Sequence, residues 1–185
     1  LLAAAVATLG SPQVRNMGTL GGNICTASPA GDSLPPLYVM DAAVELQSSR
    51  GTRRMPIREF ITGPGRTQLQ RGEVLTGVRV GIPQGFQVHR FEKVGQRKAL
   101  ACAISSMAAL LKLSGDGAVS EGRIAWGSVG PTVVVSAEVE GFLRGRKVTP
   151  ATVEEAAALA ERAVAPIDDV RGSAAYRRQV AGNLL

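Results

Sequence analysis

The chain carries only two cysteines and one histidine among 185 residues, and that scarcity removes several chemistries. Cys25 and Cys102 lie far apart in no C-x-x-C or Cys/His spacing, and His89 has no metal-type partner near it in sequence. A structural zinc site or an iron–sulfur cluster needs about four such ligands, so the sequence encodes neither. A lone histidine without a serine or cysteine nucleophile motif argues against a nucleophile–histidine catalytic set. The two thiols read as reduced, semi-buried residues of a cytoplasmic protein. Aromatic residues make up 4%, and Trp126 reads as a core or interface residue. The net charge of +6 raises nucleic acid as a partner, but residues 1–85 hold eight Lys/Arg against five Asp/Glu, and residues 86–185 hold thirteen against ten. Charge spread that evenly, with few stacking platforms and no long basic run, argues against nucleic acid. The apolar opening, Leu1–Leu9, lacks a charged leader and is too short to span a bilayer, so no membrane association is expected. Opening in mid-helix, it reads as the later portion of a longer chain.

What is present suffices for a buried core: 45% hydrophobic and 19% charged residues, in a length that fits one substantial domain or two small ones. The most informative stretch is Arg15-Asn16-Met17-Gly18-Thr19-Leu20-Gly21-Gly22-Asn23-Ile24, followed by Ser28-Pro29-Ala30-Gly31-Asp32. The pair Gly21-Gly22 lets backbone approach a bulky ligand, since no Cβ intervenes and positive φ costs little. Successive N–H groups in such a turn suit a pyrophosphate. Thr19, Asn23 and Thr26 supply neutral donors and acceptors, and Asp32 an acceptor for a hydroxyl. On chemistry alone a tight surface turn remains an equal reading.

Along the chain, Leu1–Leu9 reads as a helix stopped by Gly10-Ser11-Pro12, and residues 11–33 as loop and ligand motif. Leu34–Ala43 reads as a short helix capped by Asp32 or Ser33, with Pro35 and Pro36 in its first turn. Val44, Leu46 and Ser48 alternate with polar residues as a strand, which pairs with Arg53–Ile57 across a Ser49–Thr52 turn. Val74, Thr76, Val78, Val80 and Ile82 keep a period of two, and Gly81–Gly85 then breaks the pattern as a domain boundary. Beyond it, Gln87–Val94 and Gly122–Val129 read as strands, and Ser114–Gly117 as a hairpin turn. Leu100–Leu113 favours helix on propensity. Helices follow at Val135–Leu143, after the Thr149-Pro150 cap with Val153, Ala157, Ala160 and Val164 on one face, and from Ser173 with Tyr176, Val180 and Leu184 on one face.

The motif R-N-x-G-T-x-G-G-N-I with S-P-A-x-D resembles the second flavin-contacting segment in the FAD-binding subunit of molybdenum hydroxylases, the family of xanthine dehydrogenases, aldehyde oxidases and aerobic carbon monoxide dehydrogenases. The resemblance continues in Arg53–Phe60, Glu73–Leu75, Phe91–Arg97 and Asp168–Arg178. It implies an α+β fold. Residues 1–84 would form the second lobe of a PCMH-type FAD-binding domain, and residues 85–185 a carbon monoxide dehydrogenase flavoprotein C-terminal-like domain with a three-stranded antiparallel sheet and three helices. It turns Leu100–Leu113 into a sheet strand. It also implies a missing earlier segment, with the Gly-rich loop for the ADP half of FAD.

By resemblance, Gly21 and Gly22 with Thr19, Asn23 and Thr26 contact the pyrophosphate and ribityl part of FAD, and Asp32 accepts a hydrogen bond from the flavin side. Leu9 and Leu75 correspond to apolar contacts with the cofactor rings, and Lys93 to a flavin-side lysine that would stabilise charge gained on reduction. Arg97 stays open between that setting and a structural ion pair. Asp168, Asp169, Arg171 and Tyr176–Arg178 read as an ion-pair and capping network for the last helix. Implied partners are a [2Fe–2S] small subunit and a molybdenum-cofactor large subunit. The electron acceptor, NAD, dioxygen or another, stays open, because Ala99-Leu100-Ala101 stands where many NAD-using members carry acidic residues. Two other readings stand beside this one: an assembly module with an incomplete flavin site, and a stand-alone flavin oxidoreductase.

Overall fold

Four short helices open the computed structural model, which describes residues 1–185: α1 (Leu2–Ala7), α2 (Pro12–Met17), α3 (Leu20–Thr26) and α4 (Leu34–Val39). The stretch read as loop thus holds two of them. Ser11 and Thr19 are extended N-cap residues whose hydroxyls accept from the Val14 and Gly22 N–H groups, the interaction that starts a helix this short. Gly21 and Gly22 are accordingly helical rather than positive-φ turn residues, a correction to their reading as a turn. The helix ends at Ala27 in the left-handed conformation.

Strands β1 (Ala43–Ser48) and β2 (Gly51–Pro56) form the expected hairpin, with Val44 opposite Met55 and Leu46 opposite Arg53. A one-turn helix α5 (Ile57–Phe60) and a small hairpin, β3 (Ile61–Gly63) with β4 (Arg66–Thr67), lead to β5 (Val74–Arg79) on the other side of β1. The period of two in β5 does not mark one buried face. A bulge puts Leu75 opposite Leu46 and Val78 opposite Val44, so both pack on the core while Val74 is exposed.

A second antiparallel sheet runs β6 (Val88–Val94), β7 (Ser105–Leu113), β8 (Val119–Gly127) and the two-residue β9 (Val134–Val135), followed by α6 (Ala137–Leu143), α7 (Pro150–Ala163) and α8 (Ala174–Asn183). Helices α6, α7 and α8 begin at Ser136, Thr149 and Ser173, each hydroxyl accepting an N–H of its own first turn. Strand β7 is the middle layer of the molecule. Ala108 and Leu110 join a core with Ile24, Leu37, Leu46 and Phe60, whereas Met107 and Ala109 join another with Trp126, Val139, Ala156 and Ala160. Burial on both faces produces the continuous apolar run that propensity reads as helix. Two helical faces differ from expectation: α7 buries Ala156 with Ala160, and α8 buries Arg177 with Val180 while Tyr176 is exposed. No helix is long and apolar enough to cross a membrane.

Candidate functional site

A cavity of about 350 Å³ opens between the end of α1 and the first turns of α2 and α3, and Thr19, Gly22, Asn23 and Thr26 line it together with Leu9 and Arg15. Thr19 Oγ1 accepts from Gly22 N–H at 2.9 Å, whereas the N–H groups of Leu20 and Gly21 have no protein partner. The helix therefore starts with two free backbone donors, and its macrodipole adds partial positive charge at that end. Thr26 Oγ1 donates back to the Gly22 carbonyl at 2.9 Å. Asn23 Oδ1 accepts from Ser33 Oγ at 2.6 Å, which leaves its amide donors free.

The two glycines have different reasons for lacking a side chain. A Cβ on Gly22 would stand 3.0 Å from Thr19 Oγ1 and press on the cap at the cavity wall. A Cβ on Gly21 would meet Leu75 Cδ2 at 3.3 Å, so this glycine lets α3 settle on β5. Leu75 consequently stands behind the glycine pair, packed against the core, and is not part of the cavity wall.

Asp32 and Lys93 meet at 2.6 Å with side chains only 6% and 10% exposed, and Lys93 Nζ also donates to the Thr8 carbonyl at 3.0 Å. Lys93 is thus no solvated edge residue, and Asp32 does not cap α4, whose N-cap is Ser33 with no side-chain cap bond. Burial pushes the Asp32 carboxyl above the ordinary carboxylate range, against the hydrogen bond and charge of Lys93 that pull it down. Its Oδ1 is buried without a partner, an acceptor in place for a further donor. A second cavity, about 430 Å³, is lined by Thr8, Lys93, Arg97 and Leu100. Arg97 is spent locally, donating to the Ala99 and Leu100 carbonyls, so it shapes the loop after β6.

The residues read from the sequence therefore fall into two adjoining groups, joined through Thr8–Leu9 and through Ser33, which bonds Asn23 beside Asp32. Arg15 is the member that sequence reasoning left out. It donates to the Leu9 and Gly10 carbonyls at 2.9 and 3.0 Å and is the only charged side chain lining the first cavity; its place in the motif was the available signal. The C-terminal signature forms part of the expected network: Asp169 bonds Arg171 and Arg177, and Asp168 accepts from Ala174 N–H at 2.6 Å, while the side chains of Tyr176 and Arg178 take no part in it. Both thiols are free, Cys25 half-buried and Cys102 exposed rather than semi-buried.

A glycine wall, free backbone donors, neutral side-chain amide and hydroxyl groups and a buried orphan acceptor match the needs of a flavin dinucleotide, with its diphosphate, polyol and hydrogen-bonding ring. Residues 1–84 match the family model described as the FAD binding domain in molybdopterin dehydrogenase, and residues 90–185 the CO dehydrogenase flavoprotein C-terminal domain. The chain is 32% identical to the nicotinate dehydrogenase FAD-subunit of Eubacterium barkeri and 35% identical to the glyceraldehyde dehydrogenase medium chain of Sulfolobus acidocaldarius, over 95% of its own length in each case. It spans 60% and 62% of those proteins. It superposes on the carbon monoxide dehydrogenase of Hydrogenophaga pseudoflava with a TM-score of 0.92 at 34% identity, covering 100% of this chain and 63% of that one. The chain belongs to the molybdenum hydroxylase family, as part of its FAD-binding subunit.

Proposed function

We propose that this chain supplies the second half of an FAD site in the electron-transfer subunit of a cytoplasmic molybdenum hydroxylase. Residues 1–84 would be the later lobe of the FAD-binding domain and residues 85–185 the C-terminal domain. The observation that carries this reading is the first cavity, where the uncommitted N–H groups of Leu20 and Gly21 open α3 beside the wall of Thr19, Gly22, Asn23 and Thr26.

Bound FAD supplies the redox chemistry, with electrons entering from a partner's [2Fe–2S] clusters and leaving to NAD, dioxygen or another acceptor. The chain's own residues bind and orient. The α3 backbone donors and the Asn23 amide would hold the diphosphate and the polyol, and Asp32 Oδ1 would accept from the ring. Lys93, fixed by Asp32 and Thr8 in a position only 10% exposed, would place its amine on the flavin side, where a donor acts more strongly on a nearby anion than it would in bulk solvent. Substrate oxidation would belong to a separate molybdenum-cofactor subunit. The present chain alone would be inactive, because the resemblance implies that the Gly-rich loop for the ADP half of FAD would lie in an earlier segment.

The test is flavin content. In the complete subunit, Gly22→Val crowds the Thr19 cap and fills the cavity wall, so bound FAD, read from visible absorbance after purification, should be lost. Far-UV circular dichroism should stay unchanged, since an N-cap is worth about 1 kcal/mol. Undiminished FAD in that variant overturns the assignment.

A further inference from the structure

A third cavity, about 320 Å³, lies where the Ser28–Ala30 segment, the end of β8, the 165–171 loop and α8 converge, and none of the flavin-site residues lines it. Two of the residues that line it carry a buried side-chain group without a partner: the Nε–H of Arg177, a residue 4% exposed, and the hydroxyl of Ser128, also 4% exposed. Arg177 spends its other nitrogens on the Ser128 carbonyl, at 2.9 Å, and on Asp169. Arg171 shares Asp169 at 2.9 Å and is 42% exposed at the rim. The charged groups lining the cavity are therefore two guanidinium groups and one carboxylate, a net charge of +1.

The chemistry of the unsatisfied groups selects the ligand. An arginine Nε–H can only donate, and a buried donor left alone costs about 1–3 kcal/mol. Pro29, Pro64 and Pro131 line the walls and carry no N–H, while the Pro29 carbonyl is already taken by Ser128 N–H at 2.8 Å. The volume is that of about ten water molecules, too large to be an ordinary single buried-water site. Ser128 also sits at φ +66, a conformation uncommon for a residue with a side chain.

We propose that this cavity is a binding site for a small oxyanion, a carboxylate or phosphate group, held by Arg177 Nε, Ser128 Oγ and the excess charge of Arg171. The anion ties the segment before Asp32 to the last helix. A free anion and an acidic side chain inserted by a partner subunit share this chemistry. The site does not depend on the flavin assignment.

The complete subunit is melted in rising sodium phosphate, and separately in rising sodium acetate, at ionic strength held constant with chloride. A saturable rise in melting temperature with either anion is expected, as for any ligand selective for the folded state. Ser128→Gly removes the hydroxyl and relaxes the positive φ, so its melting temperature without anion should equal or exceed the parent's. Its half-saturating anion concentration should rise about tenfold, the loss expected for one hydrogen bond to a charged group. Arg171→Gln should weaken the response in the same direction. If the assembled complex no longer responds to phosphate and Ser128→Gly weakens assembly, the anion is the partner's carboxylate. If the complex responds as the free subunit does, the anion is a free solute. A melting temperature that follows ionic strength alone, or variants that respond like the parent, overturns the proposal.

Discussion

Replacing Lys93 by Met removes one member of the buried pair while keeping the volume of the side chain. Asp32 then has both carboxylate oxygens buried without partners, because Lys93 is its only side-chain hydrogen bond. Stranding a buried charge this way costs about 3–5 kcal/mol, and in a domain of this size each kcal/mol lowers the melting temperature by roughly 2–4 °C. The pH dependence gives the sharper test. Burial holds the folded Asp32 carboxyl above its ordinary value, and Lys93 opposes that rise; without Lys93 the rise is larger. A carboxyl with a raised folded pKa binds more protons folded than unfolded, so stability falls as pH climbs from the ordinary value to the raised one. The Lys93→Met deficit should therefore be largest at neutral pH and shrink as the pH falls toward the ordinary carboxylate range, where Asp32 is protonated. The double variant Asp32→Asn/Lys93→Met carries no charge there and serves as the reference. Thermal melts of the parent and both variants across that range make the measurement. A single variant within about 1 kcal/mol of the parent, far below the cost of stranding a buried charge, or a gap to the double variant that does not change with pH, refutes the reasoning.

Two further outcomes follow from buried polar atoms. Tyr38 is 4% exposed with its hydroxyl unpartnered, and burial, against the charge of Arg58, pushes its pKa up to about 12. Tyr38→Phe should leave stability unchanged or raise it in denaturant unfolding; a loss above about 1 kcal/mol means the hydroxyl has a partner. Trp126 Nε1 donates to the Ala181 carbonyl at 3.0 Å inside the second core. Trp126→Phe should cost about 1–3 kcal/mol for the orphaned carbonyl alone, and a cost below about 0.5 kcal/mol by the same unfolding assay contradicts that bond's role.

The parts of this fold that the sequence made legible are those governed by local chemistry. Thr149-Pro150 and Ser173 start helices because a hydroxyl acceptor is local to its own first turn, and the β1–β2 pairing was legible from its alternation, although the turn is the two residues Ser49-Arg50 and β2 starts at Gly51 rather than Arg53. Misreadings arose where distant contacts decide. The alternation in β5 conceals a bulge that only pairing with β1 creates. On propensity alone strand β7 reads as helix, because two cores claim its opposite faces, and it was the family resemblance that assigned it to the sheet. Tyr176 and Arg177 exchange their expected places because Asp169 and the Ser128 carbonyl draw the arginine inward. In the site, the motif identified Gly21 and Gly22, but their separate roles, one against Leu75 and one beside the Thr19 cap, depend on where β5 lies. The Asp32–Lys93 pair spans 61 positions, and family resemblance named both residues while giving no sign that they bond each other.

The most direct measurement is an experimental structure of the complete subunit with FAD bound. The diphosphate should lie against the free N–H groups of Leu20 and Gly21 at the start of α3, with Asp32 and Lys93 on the flavin side. A bound FAD that leaves this cavity facing solvent contradicts this placement.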